Sequence, residues 1–440
     1  MSSAPTPRFF EKPPPNPTSN PRFFEKPGAE PTPIPRFLEK PGAEPTPNPR
    51  FLEKPPRFSV LLPTRNGGRF LRDCIASVLG QDDPDFELVV ADNANTDDTP
   101  AVLAEFAGDP RLRVIRHPTV LSVTENWSST LHASRGDYLV MIGDDDCLLP
   151  GYFATLRDTL ARYQEPEAVV YNGFSYVFPG SIGDHGSYFS DPHFRFDRGL
   201  QPGPLSPEYR RQLVKGMFRF VVRYPLNIQL TLFSRRAMQR VPPPFFRQPF
   251  PDHFAINSLL LLAGSIVYHP ERLAVIGLSP KSFGHYAYGG DSASGMTYLG
   301  SESDFPGRLE GSELINSMHR WLSLLKTAYP SELAGIEIDR GAYLRRQVAS
   351  WLFDARAGHI PAGEAARRLL RLDARDKLRL AASPTSPDTW RRVPRLLALA
   401  RREPIRQSWP RAAALGGVSG IAEFAEWASR ERPTVSGLRA

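Results

Sequence analysis

Three consecutive aspartates, Asp144, Asp145 and Asp146, stand between two apolar stretches in the segment VMIGDDDCLLPGYF. Adjacent carboxylates repel one another, and Asp is a poor residue inside a strand or a helix. Something positive should therefore compensate them. Hard divalent cations such as Mg²⁺ and Mn²⁺ take oxygen ligands and keep positions open for phosphate, so the cluster predicts a metal site. The alternative is an acidic turn that is simply solvated at the surface.

The elements that must position these aspartates repeat in a regular order from residue 57 onward. Apolar strands alternate with amphipathic helices, and polar clusters follow the first, second and fourth strands. This alternation predicts a parallel sheet with right-handed crossovers, in which ligands bind beyond the carboxyl ends of the strands. The predicted strands are residues 58–62, 86–91, 111–115 and 137–142, and the predicted helices are residues 70–79, 100–106 and 126–133.

Three blocks in this region together resemble family 2 glycosyltransferases with the GT-A fold. They are PTRNGGRFLRDCIASVLGQ, FELVVADNANTDDT and GDYLVMIGDDDCLLPGYF, and the resemblance covers about residues 57–290. It implies an α/β fold with a Rossmann-like, mostly parallel sheet flanked by helices. It also implies an inverting enzyme that uses Mn²⁺ or Mg²⁺ to move a sugar from a nucleotide-diphosphate donor to a hydroxyl acceptor, in synthesis of a surface polysaccharide or glycolipid.

The resemblance also implies which residues bind the donor. In the family, the first loop and the acid after the second strand hold the nucleotide. We add one side chain ahead of the fourth strand. The resulting set is Pro63, Thr64, Arg65, Asn66, Asp92 and Asn126.

The metal ligands are less sharply defined by the resemblance. The family's Asp-X-Asp motif binds the metal and the donor diphosphate, but its leading Asp aligns with Gly143 in this chain. The ligand set therefore stays open among the three aspartates. We favour Asp145 and Asp146 for the metal, with Asp144 nearer the ribose. His285 lies where related enzymes often supply a further metal or diphosphate ligand, and the alternative is an ordinary loop histidine.

The reaction also needs a base, because the acceptor hydroxyl loses its proton as it attacks the anomeric carbon. Asp252 precedes an apolar segment, residues 255–267, that predicts a buried helix. The family carries its acidic base in a similar context, so Asp252 is the predicted base. The alternative is a helix N-cap, and the two roles can coexist.

Composition predicts two flanking parts. The first 56 residues hold 17 of the 46 prolines and repeat PRFFEKP or PRFLEKP with a period of 14, which predicts a disordered arm. Residues 341–440 contain 19 Lys and Arg against 9 Asp and Glu, so the rest of the chain has a net charge of about −3. We predict an arm at 1–56, a catalytic domain at 57–300 and a helical, basic region at 301–440.

The same features bear on partners and location. Segment 390–409 places arginines around an apolar centre, so it either contacts an anionic membrane or packs as helices with a solvated arginine face. No basic stripe in the central region favours nucleic acid. The sequence shows no secretory signal, no spanning apolar run and only two cysteines, Cys74 and Cys147. These features predict a cytoplasmic protein with access to the inner face of the membrane.

Two other functions fit part of the pattern. A sugar-phosphate nucleotidyltransferase shares such a sheet and a divalent metal, but it is expected to carry a lysine in a glycine-rich loop after the first strand, and PTRNGGRF has none. A catalytically silent nucleotide-sugar-binding protein would be favoured if the aspartates or Asp252 were missing, and both are present.

Overall fold

The structure is a computed structural model of the 440-residue chain. It describes residues 54–181, 186–190, 201–282, 304–382, 413–415 and 417–431, which belong to one compact unit. Residues 1–53 of the proline-rich arm, His285 and segment 390–409 lie outside the described residues. The predictions made for them, and the division of the chain into three parts, stay predictions.

The first half of the sheet consists of four parallel strands with helices in the connections. The elements are β1 (Phe58–Thr64), α1 (Gly68–Leu79), β2 (Phe86–Asn93), α2 (Thr99–Glu105), β3 (Leu112–His117), α3 (Val123–Ala133) and β4 (Tyr138–Met141). The strands lie in the order β3, β2, β1, β4. The chain thus builds outward from β1 to β3 and then returns to the other side of β1. A ligand crevice forms at such a reversal, between the ends of β1 and β4.

The second half adds antiparallel strands and one long parallel strand. Its elements are β5 (Cys147–Leu148), α4 (Tyr152–Arg162), β6 (Ala168–Val177), β7 (Ser187–Ser190), β8 (Gly203–Pro204), α5 (Pro207–Phe218), β9 (Thr231–Ser234), α6 (Arg235–Arg240), α7 (Pro251–Leu262) and β10 (Ile266–Leu278). β9 pairs antiparallel with both β4 and β6, so β6 runs parallel to β4. β10 runs parallel to β6 along its whole length and therefore ends at the same edge as β4.

Helices dominate the remaining described residues. They are α8 (Glu313–Ala328), α9 (Arg340–Ala357), α10 (Ala362–Arg371), α11 (Ala374–Ala381) and α12 (Ile421–Glu431), with a short strand β11 (Ala413–Ala414). α8 packs on α7 and α9. α12 returns to the sheet, where Phe424 stacks on Tyr176 of β6 with ring centroids 5.2 Å apart. No helix in the described ranges combines the length and the apolar character that a bilayer crossing requires.

The predicted fold class is confirmed: an α/β protein whose sheet has a parallel centre flanked by helices. The prediction of one buried helix over residues 255–267 is wrong at its C-terminal end. α7 ends at Leu262, and Ile266 already begins β10. A short apolar run fits a buried helix and a buried strand equally well, and Gly264 and Ser265 mark the boundary between the two.

Candidate active site

The ends of β1 and β4 are joined through a carboxylate. Thr64, the last residue of β1, donates its hydroxyl to Oδ2 of Asp144 at 2.6 Å. Gly67 lies beside this contact, because a Cβ at that position would come within 2.6 Å of the Thr64 hydroxyl and 3.0 Å of Oδ2 of Asp144. The first loop and the aspartates, which are 80 residues apart in sequence, thus form one site.

The positive partner of the cluster within the described residues is Lys281. Its ammonium lies 2.7 Å from the same Oδ2 of Asp144, and it also donates to the backbone carbonyl of Asn66 at 3.1 Å. Lys281 follows the end of β10 by three residues. The first loop has no lysine of its own, but the fold brings one to it from more than 200 residues away.

Asp145 faces the residues that follow β10. Its Oδ2 accepts a hydrogen bond from the Ser279 hydroxyl at 2.6 Å. Burial raises the pKa of the Asp145 carboxyl, and the neighbouring Asp144 raises it further. The site therefore holds more negative charge than its own hydrogen bonds compensate.

Among the described residues, Asp146 accepts its hydrogen bonds from backbone N–H groups and not from side chains. Its Oδ2 accepts from the backbone N–H of Gly143 at 2.7 Å, and its Oδ1 accepts from the backbone N–H of Gly277 at 2.8 Å. A Cβ on Gly277 would lie 1.8 Å from the Asp145 carbonyl oxygen, so only glycine permits this close approach of β10. Burial and the Asp145 charge raise the pKa of Asp146. Asp146 thus ties the aspartate turn to β10.

The loops after β1 and β2 fix each other along the crevice. Arg65 donates to the carbonyl of Ala94 at 2.6 Å, and the backbone N–H of Asn66 donates to Oδ1 of Asn95 at 2.5 Å. Asp92 accepts from the Asn95 backbone at 3.1 Å and from its side-chain amide at 2.8 Å. The residues of these two loops that were predicted to bind the nucleotide sugar therefore lie close together. Pro63 lies within β1, in register with Ala91 of β2.

Asn126 lies in α3, which packs on β1 and β2. It is only 4% exposed, and its Oδ1 has no hydrogen-bond partner among the described residues. A buried acceptor of this kind costs free energy unless a ligand or water satisfies it. Its neighbour Trp127 instead packs edge-on against Phe246, with ring centroids 5.4 Å apart.

Asp252 lies in the first turn of α7, whereas the N-cap residue is Phe250. Its Oδ1 accepts from the backbone N–H of His253 at 3.0 Å, and burial raises the pKa of the Asp252 carboxyl to about 7. Only three residues separate the end of α7 from the start of β10 at the amino edge of the sheet. The first turn of α7, with Asp252, is therefore the end of the helix that points away from this amino-edge connection.

Sequence reasoning missed Lys281, Ser279 and Gly277. All three act on the aspartates from β10 or its end, 131 to 137 residues further along the chain. A signal was present, because a lysine and two serines follow directly after the apolar strand LAVIGL.

The carboxylate oxygens of the site can be compared with the ligands that a divalent cation requires. Among the residues that the structure describes, no three His, Cys, Asp or Glu side chains are arranged to hold a metal by themselves. Asp144 and Asp145 nevertheless supply hard oxygen donors side by side. Mg²⁺ in particular is usually bound by one or two carboxylates together with the phosphates of a substrate. The Asp144 and Asp145 carboxylates therefore fit a metal ion that is completed by substrate phosphates.

Comparisons with known proteins find relatives of the central segment. Residues 59–207 match the sequence profile of Glycosyl transferase family 2. A PGL/p-HBAD biosynthesis glycosyltransferase of Mycobacterium bovis is 33% identical over 123 residues, which are 26% of this chain and 46% of that protein. A GalNAc(5)-diNAcBac-PP-undecaprenol beta-1,3-glucosyltransferase of Campylobacter jejuni is 31% identical over 103 residues, which are 23% of this chain and 33% of that protein.

A crystal structure of S. aureus TarS in complex with UDP-GlcNAc superposes with a TM-score of 0.43 at 14% identity, over 67% of this chain and 80% of that chain. The chain spans between a third and a half of the length of the curated relatives it matches. The matched segment contains β2 to β4, β1 except for its first residue, and all three aspartates. Residues 59–207 of this chain are thus similar to the family 2 glycosyltransferases.

Proposed function

We propose that this chain is a metal-dependent, inverting glycosyltransferase that moves a sugar from a nucleotide-diphosphate donor to a hydroxyl acceptor. The observation that carries the proposal is the joining of Thr64 and Asp144 at the reversal between β1 and β4. Asp145 lies beside them, and all three residues fall inside the segment that matches the family. A carboxylate-lined crevice at this position suits a nucleotide diphosphate with its cation.

Asp144 and Asp145 would hold the metal in this proposal. Both oxygens of Asp146 accept backbone N–H groups, which supports a role for Asp146 in shaping the turn. This preference differs from the sequence-based choice of Asp145 and Asp146. When bound, the cation supplies Lewis-acid stabilisation of the charge that develops on the leaving diphosphate.

Asp252 would act as the base. A general base works best when its pKa lies near the working pH, and burial raises the pKa of this carboxyl to about 7. Its Oδ1 accepts the backbone N–H of His253, and a carboxylate has further lone pairs that can accept the proton of an acceptor hydroxyl.

Transfer then proceeds in a single displacement. The acceptor oxygen gives its proton to Asp252 and forms a bond to the anomeric carbon from the face opposite the diphosphate. The bond between that carbon and the diphosphate oxygen breaks, and its electron pair leaves with the nucleotide. One displacement inverts the anomeric configuration, and no enzyme nucleophile is needed.

A lipid-linked acceptor and contact with an anionic membrane complete the proposal. The Campylobacter relative is named for transfer to an undecaprenol-linked saccharide, and the Mycobacterium relative for PGL biosynthesis. In support, Leu370 of α10 and Leu378 of α11 are each 72% exposed, and Arg371, Arg375 and Lys377 beside them are exposed as well. Exposed apolar side chains among cations suit a membrane surface with anionic lipids.

A donor screen tests the enzymatic proposal. The full chain is incubated with a panel of UDP-, GDP- and dTDP-sugars, and release of the nucleoside diphosphate is measured with Mn²⁺ and with excess EDTA. We expect release from one nucleotide class that depends on Mn²⁺. Equal release in EDTA would refute metal dependence, and release of pyrophosphate from a nucleoside triphosphate and a sugar phosphate would favour a nucleotidyltransferase.

A further inference from the structure

The contact of Lys281 with Asp144 indicates a further role for this lysine, which rests on the proposed function and goes beyond it. We infer that the Lys281 ammonium takes the place of the metal cation beside Asp144 until the substrates bind. It neutralises Asp144 before the substrates bind, and it passes to the donor diphosphate when the metal and the donor arrive. Lys281 would then be a positioning residue before the reaction and a phosphate-binding residue during it.

One oxygen of Asp144 accepts two hydrogen bonds. Oδ2 of this carboxylate accepts from the Thr64 hydroxyl at 2.6 Å and from the Lys281 ammonium at 2.7 Å. The same ammonium reaches the carbonyl of Asn66 in the first loop at 3.1 Å. Lys281 therefore holds the aspartate turn, the first loop and the end of β10 together through one charged group.

The three aspartates together carry more negative charge than Lys281 can neutralise. Three adjacent carboxylates face this region, and within the described ranges Lys281 is the cation that forms an ion pair with them. Asp145 accepts a hydroxyl and Asp146 accepts two backbone N–H groups, so neither is neutralised by a formal charge there. When all three acids are ionised, the three carboxylates and one ammonium have a net charge of about −2. A divalent cation would neutralise this charge.

A divalent cation would compete with the Lys281 ammonium for Asp144. A divalent cation bound to Asp144 would lie within a few ångströms of the ammonium, and two positive charges at that distance repel strongly in a partly buried site. The Lys281 side chain is 30% exposed and flexible, so it can leave Asp144. A diphosphate next to the metal offers it new anionic partners, and a lysine suits such a point-charge contact.

The test separates the two positions of the lysine. Lys281→Met keeps the length and removes the charge, Lys281→Arg keeps the charge, and Lys326→Met is the matched control. Lys326 is 35% exposed and forms an ion pair with Glu337, away from the aspartates. Free Mn²⁺ is measured by electron paramagnetic resonance during titration without nucleotide. Binding of UDP, GDP and dTDP is measured by calorimetry in saturating Mn²⁺.

We expect opposite shifts for Lys281→Met. The Kd for Mn²⁺ alone should fall about tenfold because the competing charge is gone, and the Kd for the nucleoside diphosphate should rise about tenfold because a phosphate contact is lost. Lys281→Arg should restore most of the nucleotide affinity, and Lys326→Met should change neither value.

Several outcomes would overturn the inference. A purely structural lysine would weaken Mn²⁺ and nucleotide binding together in Lys281→Met, and an irrelevant one would change neither. Both results leave the proposed function standing if the native chain binds Mn²⁺ and nucleotide. A native chain that binds neither would instead refute the metal-dependent function together with the inference.

Discussion

The aspartate turn and the first turn of α7 present the same side-chain type in two different settings. Asp144 and Asp145 share their region with each other, with a lysine and with two hydroxyl donors. Asp252 is mostly buried and accepts the backbone N–H of His253, and burial is the main cause of its raised pKa. One setting concentrates negative charge, and the other makes a single carboxyl ready to exchange a proton near neutral pH.

This difference shows how one residue type can serve two chemical roles. A cluster of carboxylates attracts cations because its charges repel one another, whereas an isolated buried carboxyl takes up a proton because its charge is poorly solvated. Substitutions at the two places should therefore affect different measurements: metal and nucleotide binding in the first, and the transfer step and its pH dependence in the second.

Replacing Asp145 by Ala should have the largest effect on activity. Loss of one of the two available carboxylates should lower turnover by about 10³-fold and weaken nucleoside diphosphate binding in Mn²⁺. Thermal stability should be unchanged or slightly higher, because a buried charge next to Asp144 has been removed. Turnover near the native value would show that Asp145 does not hold the metal.

Replacing Asp252 by Asn should lower the transfer rate by roughly 10²-fold and leave nucleotide affinity in Mn²⁺ unchanged. Asn keeps the size of the side chain and removes the proton acceptor. If this variant transfers sugar at the native rate, the base lies elsewhere and Asp252 is structural.

The pH dependence of the transfer rate is a second test of Asp252 as the base. The pKa of Asp252 is raised to about 7, so the carboxyl is protonated below that pH and ionised above it. The native rate should therefore fall as the pH decreases below 7, and this limb should be absent from the residual rate of Asp252→Asn. The raised pKa also means that stability decreases as the pH rises through 7, so Asp252→Asn should melt no lower than the native chain at pH 8.

Replacing Asp146 by Ala should mainly affect stability. The substitution leaves the backbone N–H groups of Gly143 and Gly277 without their acceptor, at a cost of about 1 to 3 kcal/mol for each buried group. Asp146→Asn keeps an acceptor and should retain most of the stability. Denaturant unfolding of the two variants measures the difference, and equal unfolding midpoints would show that the tie to β10 contributes little.

Deleting residues 1–53 should have the smallest effect. A proline-rich repeat cannot bury a core, so we expect the melting temperature and donor hydrolysis to stay nearly unchanged. The deletion spares Pro56, whose carbonyl accepts from the backbone N–H of Asp137 at the start of β4. A large drop in melting temperature would show that the repeats contribute to folding.

Local patterns in the sequence determined much of the fold and part of the site. Short apolar runs placed β1 to β4, and the helical spacing of apolar residues placed α1 to α3, close to their observed bounds. The polar clusters after the strands followed from the same reasoning, since parallel strands place their carboxyl ends at one edge. The prediction weakened beyond β4, where short antiparallel strands and the boundary between α7 and β10 gave no distinct pattern.

Only the tertiary structure decided how the three aspartates differ from one another. They are adjacent and chemically identical in the sequence, but Lys281 pairs with Asp144, Ser279 bonds Asp145, and the backbone of Gly277 holds Asp146. These partners come from the end of β10, more than 130 residues away. Sequence periodicity reports which face of an element is buried, whereas the identity of a contact across the fold depends on how distant segments pack together.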